Sequence, residues 1–175
     1  QFFNPFFIIV LGSIFSVMWV KLSKIGKNPS IPLKFCFGIV QLALGFLVTK
    51  VGFQFVNESF QVPLLTLVFL YMLHTTGELF LSPIGLSMVT KLSPKSMAGT
   101  AMGAWFLSFA IANYVGGKIA AITGGHGGSD EAMSIGEGLN QYLDIFSTIG
   151  YVLLGIALII FLLNKPIKKL MHGVE

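Results

Sequence analysis

An acidic side chain in the middle of an apolar run must have a partner or a purpose, and Glu78 sits within LYMLHTTGELFLSPIGLSMV. Placing a carboxyl at the centre of a membrane span costs about 2.5 to 3.5 kcal/mol on insertion scales, and such residues usually face a cavity or a bonding partner. A low dielectric favours the neutral acid unless a cation lies beside it, which makes Glu78 a candidate proton or amine site. His74 and Ser82, one turn to either side, are its local partners. A plain bond to another helix is the structural alternative. The same run holds Gly77, Pro83 and Gly85. Pro83 lacks an amide donor and clashes with the carbonyl of Leu79, so a bend is expected just after Glu78. In carriers such a point marks a substrate site or a hinge; elsewhere it is a static kink.

Polar groups in two other runs are expected at similar depth. AGTAMGAWFLSFAIANYVGG carries Trp105 and Ser108, with Gly99 and Gly103 spaced for close helix contact. At 1.5 Å per residue Trp105 lies about 10 Å and Ser108 about 15 Å from the charged end of their run, against about 16 Å for Glu78. A Trp at that depth suggests a pocket wall, with core packing as its alternative. Asn4 precedes Pro5 in QFFNPFFIIV; an amide there needs a partner, unless the pair simply begins a helix. Lys118 falls near the far end of its run and is expected to snorkel rather than meet Glu78.

The elements that must position these groups are membrane helices. Hydrophobic residues make up 54% of the 175 and charged ones 10%, too few polar groups to clothe a soluble domain. A hydrocarbon core of about 30 Å needs roughly 20 apolar residues. Five runs qualify, at about 2–20, 31–51, 62–89, 98–122 and 145–163, with an acidic Gly-rich loop over 123–144 and a tail over 164–175. Lysines 21, 24, 27, 34, 91, 95, 165, 168 and 169 fall on one side. Glu58, Asp130, Glu131, Glu137 and Asp144 fall on the other, with Lys50 and Lys118 near them. Positive charge marks the cytoplasmic side, so the N-terminus is expected outside and the C-terminus inside. Five spans with an outside start, no initiator Met and no basic leader lead to the expectation of a truncated chain with further spans upstream.

Other chemistry finds little support. The basic residues are all lysines, mainly in short loops, which argues against nucleic-acid binding. His126 in the loop has no spaced partners for a metal and is read as solvated, and the single Cys36 permits no internal disulfide. His74 and Glu78 at one-turn spacing allow an intramembrane acid and base. There is, however, no HExxH, Ser-Lys or paired-Asp pattern and no nucleotide loop, so an enzyme is not expected.

The strings QFFNPFFIIV, GELFLSPIGLSMVTKLSP and AWFLS, in that order and spacing, resemble spans eight, ten and eleven of the proton-coupled oligopeptide transporters, and the ending MHGVE is similar too. The resemblance implies an all-α membrane protein, five transmembrane helices from the C-terminal six-helix half of a major facilitator fold. It implies a multi-pass protein of the cell inner (plasma) membrane that works with the N-terminal half of the same transporter in the lipid bilayer. It would import di- and tripeptides by symport, with a co-transported proton and no other cofactor. By motif, Asn4 and Glu78 would engage the peptide's amino terminus, and Glu78 would exchange a salt bridge with a lysine of the N-terminal half. Trp105 would line a side-chain pocket. Ser108 keeps a hydroxyl that the family often doubles, with Phe109 in the second place. Gly77, Pro83 and Gly85 would serve gating. The ExxER-type proton motif belongs to the other half. A drug, sugar or anion carrier of the same superfamily is the alternative, which an acid paired with an amide suits less well.

Overall fold

The computed structural model describes residues 2–123 and 135–171, all of whose regular elements are helical. They are α1 (Phe3–Lys24), α2 (Ile31–Phe53), α3 (Leu64–Leu92), α4 (Ala98–Thr123), α5 (Ile135–Leu162) and α6 (Asn164–Leu170), with a short 3-10 turn over Lys95–Met97 before α4. His126, Asp130, Glu131 and the MHGVE ending beyond Met171 lie outside the described residues.

Local sequence sets the ends of these helices. α1 stops at Gly26, which takes a left-handed φ of +67°. The Lys27 and Gly26 amides there turn back to the carbonyls of Leu22 and Ser23, a glycine-terminated cap. α2 begins with Pro32 in its first turn, where a missing N–H costs nothing. Ser30 at its N-cap does not cap; its hydroxyl bonds Asn164 of α6 at 2.7 Å. α3 runs unbroken through Pro83.

Two features stand beside the expected runs. α5 begins at Ile135 rather than near 145: Leu139, Tyr142, Leu143 and Phe146 form an i, i+3, i+4, i+7 stripe that turns toward α2, the helix α5 packs on most, and lines a small apolar cavity with Thr49 and Phe53 of α2 and Thr66, Leu67 and Leu70 of α3. Gly136, Glu137, Gly138 and Asn140 dilute the apolar signal there. In addition, four of the described helices are long and apolar enough to cross a membrane, namely α1, α2, α3 and α5. α4 has the length, at 26 residues, but its glycines, Asn113 and Lys118 lower its apolarity.

α2 is the centre of the bundle and packs most extensively on α3 and α5. Its glycines at 38, 45 and 52 recur every seven residues, and each receives a side chain of α3. A Cβ on Gly38 would lie 2.8 Å from Leu81, and one on Gly45 or Gly52 would overlap His74 or Thr66. Gly77 returns the contact, since a Cβ there would lie 2.8 Å from the Gly38 carbonyl. On the other flank Gly150 of α5 admits Leu47, and the buried Cys36 thiol donates to the Ala157 carbonyl at 3.3 Å. α1 is held to α3 by Phe80, whose ring meets Phe15 and Trp19 edge-on at 5.1 Å.

Candidate functional site

Glu78 lies on the side of α3 that faces α4, in a cleft of about 540 Å³ shared by α2, α3 and α4. His74, Glu78 and Ser82 set one polar group per turn along its α3 wall, as i, i+4, i+8 spacing on a helix requires. Phe35, Ile39 and Leu42 supply the α2 wall and Trp105, Ser108 and Phe109 the α4 wall. Glu78 is thus the acidic group of a largely apolar lining.

α1 braces that carboxylate from behind. Asn4 donates from Nδ2 to Glu78 Oε2 at 3.4 Å and to Thr75 Oγ1 at 3.2 Å, and Thr75 is fully buried. Asn4 also begins the helix with Pro5, since α1 starts at Phe3, so both readings of the Asn-Pro pair hold. The bond holds one carboxyl oxygen of Glu78 in place.

Trp105 packs into the space that Gly85 leaves. A Cβ on Gly85 would overlap the indole and lie 3.2 Å from Phe35, and Trp105 meets Phe109 edge-on at 6.2 Å. Gly77 and Gly85 therefore each have a packing reason, one at the α2 crossing and one beneath the indole. The Ser108 hydroxyl donates to the Trp105 carbonyl at 2.6 Å, so it offers the cleft a lone pair rather than a proton. Lys118 lies over the Tyr114 ring of its own helix at 5.6 Å, apart from Glu78. Among the described residues no His, Cys, Asp and Glu cluster has the makings of a metal site.

The four residues singled out from sequence as a site are brought together, three in the cleft lining and Asn4 against Glu78. Sequence reasoning missed Thr75, although it lies three residues before the acid in HTTGE. It also missed Phe35, Ile39 and Leu42, for which an apolar residue in an apolar span gives no signal.

Fold and site define a class: a multi-pass helical membrane protein whose helices enclose a carboxylate-bearing cleft. Residues 1–133 match the POT family, and the chain belongs to that family. It is 33% identical over 98% of its length to dipeptide and tripeptide permease B of Xenorhabdus bovienii, and 35% identical over 99% to dipeptide and tripeptide permease A of Edwardsiella piscicida. Those matches cover 35% and 34% of the two permeases, so the chain spans about a third of the length of the curated relatives it matches. A crystal structure of a POT peptide transporter in complex with sulfate superposes with a TM-score of 0.78 at 35% identity, over 98% of this chain and 31% of that one. A mutant POT peptide transporter in complex with alafosfalin gives 0.80 at 34% identity, over 98% and 32%. The fold is that of part of a major-facilitator-like POT transporter.

Proposed function

We propose that the transporter carrying this chain imports di- and tripeptides across the cytoplasmic membrane together with protons, by alternating access, and that it is not an enzyme. The observation that carries the reading is Glu78: one carboxylate, held by Asn4, in an apolar cleft walled by Trp105. A peptide's ammonium pairs with the carboxylate, and its side chain lies against the indole. Buried charge pairs of this sort cost 2–5 kcal/mol or more when one partner is removed. The alafosfalin complex of a similar transporter and the names of the permeases support the same substrate class. A carrier of sugars or anions fits less well, because the lining offers a sugar few hydrogen-bond partners and an anion no cation.

In this reading the chain supplies helices of the C-terminal half, in the lipid bilayer, facing an N-terminal half. Its lysine-rich loops lie in the cytoplasm, its N-terminus outside and its C-terminus inside, as the positive-inside rule requires. The other half supplies the proton-binding acid and a lysine that takes the place of the peptide's ammonium on Glu78 as the carrier turns. Pro83 serves as the bend of α3 during that change, with Gly77 and Gly85 allowing its neighbours to stay close.

The test is uptake of radiolabelled dialanine into proteoliposomes of the intact transporter under an inward proton gradient. Glu78→Ala is expected to lower uptake about a hundredfold while leaving the detergent-solubilised protein monodisperse. Uptake by that variant at the wild-type rate overturns the reading.

A further inference from the structure

The cleft contains one titratable group that peptide binding does not account for, the imidazole of His74. It lines the cleft with Glu78, one helical turn away, a spacing that puts the two Cβ atoms about 5–6 Å apart. Its Nε2 is buried and has no hydrogen-bond partner. An unpartnered ring nitrogen can accept a proton or a hydrogen bond.

The ring occupies a seat that a glycine makes. A Cβ on Gly45 would overlap the imidazole Cδ2 and lie 2.6 Å from Nε2, and Phe46 leans on the ring from the next position at 4.6 Å. A neutral imidazole fits there. An imidazolium does not, since its second N–H would point at the apolar Gly45 backbone with nothing to accept it, an unpaired charge inside a span. The groups around the seat offer a single counter-charge. From α2 it meets Leu42, Gly45 and Phe46, and from α4 the cleft presents Trp105, Ser108 and Phe109. α5 reaches Phe46 through Phe146. α1 contributes the neutral Asn4 beside Glu78 and Phe3 against Tyr71, a turn earlier on α3.

We propose that His74 is a positioning residue for Glu78 with two places: neutral, it is seated on Gly45 and leaves the carboxylate to the ligand; protonated, it leaves the seat and pairs with Glu78, competing with the ligand's ammonium. The proposal rests on Glu78 as the amine site. It makes amine binding weaken on the acid side by a route that belongs to His74 and not to Glu78 alone.

Calorimetric binding of dialanine to the intact transporter in detergent, at about pH 7.5 and about pH 5.5, spans the titration of an ordinary imidazole. Wild type, His74→Asn and Glu78→Gln are compared; Asn keeps a polar side chain and carries no titrating group. The wild-type affinity is expected to fall between the two pH values by at least about fivefold more than that of His74→Asn. Equal falls overturn the proposal. Glu78→Gln binding as tight as wild type refutes the amine site itself, whereas loss in Glu78→Gln with equal falls in the other two refutes only the role of His74. Should His74→Asn fail to fold, Gly45→Ala denies the neutral ring its seat and is expected to bind dialanine at about pH 7.5 as weakly as wild type does at about pH 5.5. Unchanged binding by folded Gly45→Ala overturns the proposal equally.

Discussion

Asn4 reaches Glu78 and Thr75 with one amide nitrogen, so its loss should be felt in ligand binding more than in folding. Asn4→Ala is expected to raise the KM for dialanine about tenfold, the worth of a hydrogen bond to a charged group, with the melting temperature in detergent moved by only a few degrees. A variant with unchanged KM would show that the amide does not orient the carboxylate. At Gly85 a methyl group collides with the Trp105 indole, and Gly85→Ala is expected to cost about 1–3 kcal/mol by overpacking. Adding Trp105→Leu should recover that stability in thermal melts but not the uptake. Glu78, Asn4, Trp105 and Ser108 were legible in the sequence because each is a polar or amphipathic group where lipid disfavours it. The seat of His74 was not, because it depends on Gly45, a residue of another helix 29 positions away in a chain where glycine is common. The apolar α2 wall was invisible for a related reason: Phe35, Ile39 and Leu42 look like any lipid-facing residue until α3 is docked beside them.

At the scale of elements, the α2–α3 crossing is fixed by glycines at 38, 45 and 52 opposite Leu81, His74 and Thr66. Close approach of backbones through small residues is how membrane helices associate, since lipid supplies no hydrophobic drive between them. Gly52→Val is therefore expected to destabilise the pair by about 1–3 kcal/mol, read as a lower midpoint of thermal unfolding in detergent. The double variant Gly52→Val with Thr66→Ala should regain part of it by removing the side chain that collides. Additive losses instead would mean that the two positions do not meet. The seven-residue repeat is present in the sequence, yet nothing in the sequence alone says which helix it faces. The early start of α5 was hidden for the opposite reason: its first turns are amphipathic, and a search for uniformly apolar runs passes over a stripe that packs on protein.

For the whole molecule, charge asymmetry leads to a proposed orientation that labelling can check. Cys36 is buried and its thiol is bonded to α5, so within this chain it gives little background to a membrane-impermeant maleimide. A cysteine placed at Ser59, between α2 and α3, is expected to label from outside intact cells, and one at Ser96, between α3 and α4, only after permeabilisation. The reverse pattern would invert the topology. The bundle is also uneven in a way that hydropathy does not reveal. Among the described residues α2 holds more of the buried ones than any other helix, whereas α1 has none and α4 turns Phe106, Leu107, Ile111 and Tyr114 outward.

The bonds that complete α2 also set an order of assembly. Ser30 finds Asn164 at a separation of 134 positions, and Cys36 finds Ala157 at 121, whereas the glycine seam with α3 spans a much shorter stretch of chain. On the ribosome, α2 and α3 meet as a hairpin soon after they emerge. The other flank of α2 must then wait in the membrane, its serine and thiol unsatisfied, until α5 and α6 have been made. A stop codon or a stalled ribosome before α5 would leave that flank open to lipid and to quality-control proteases.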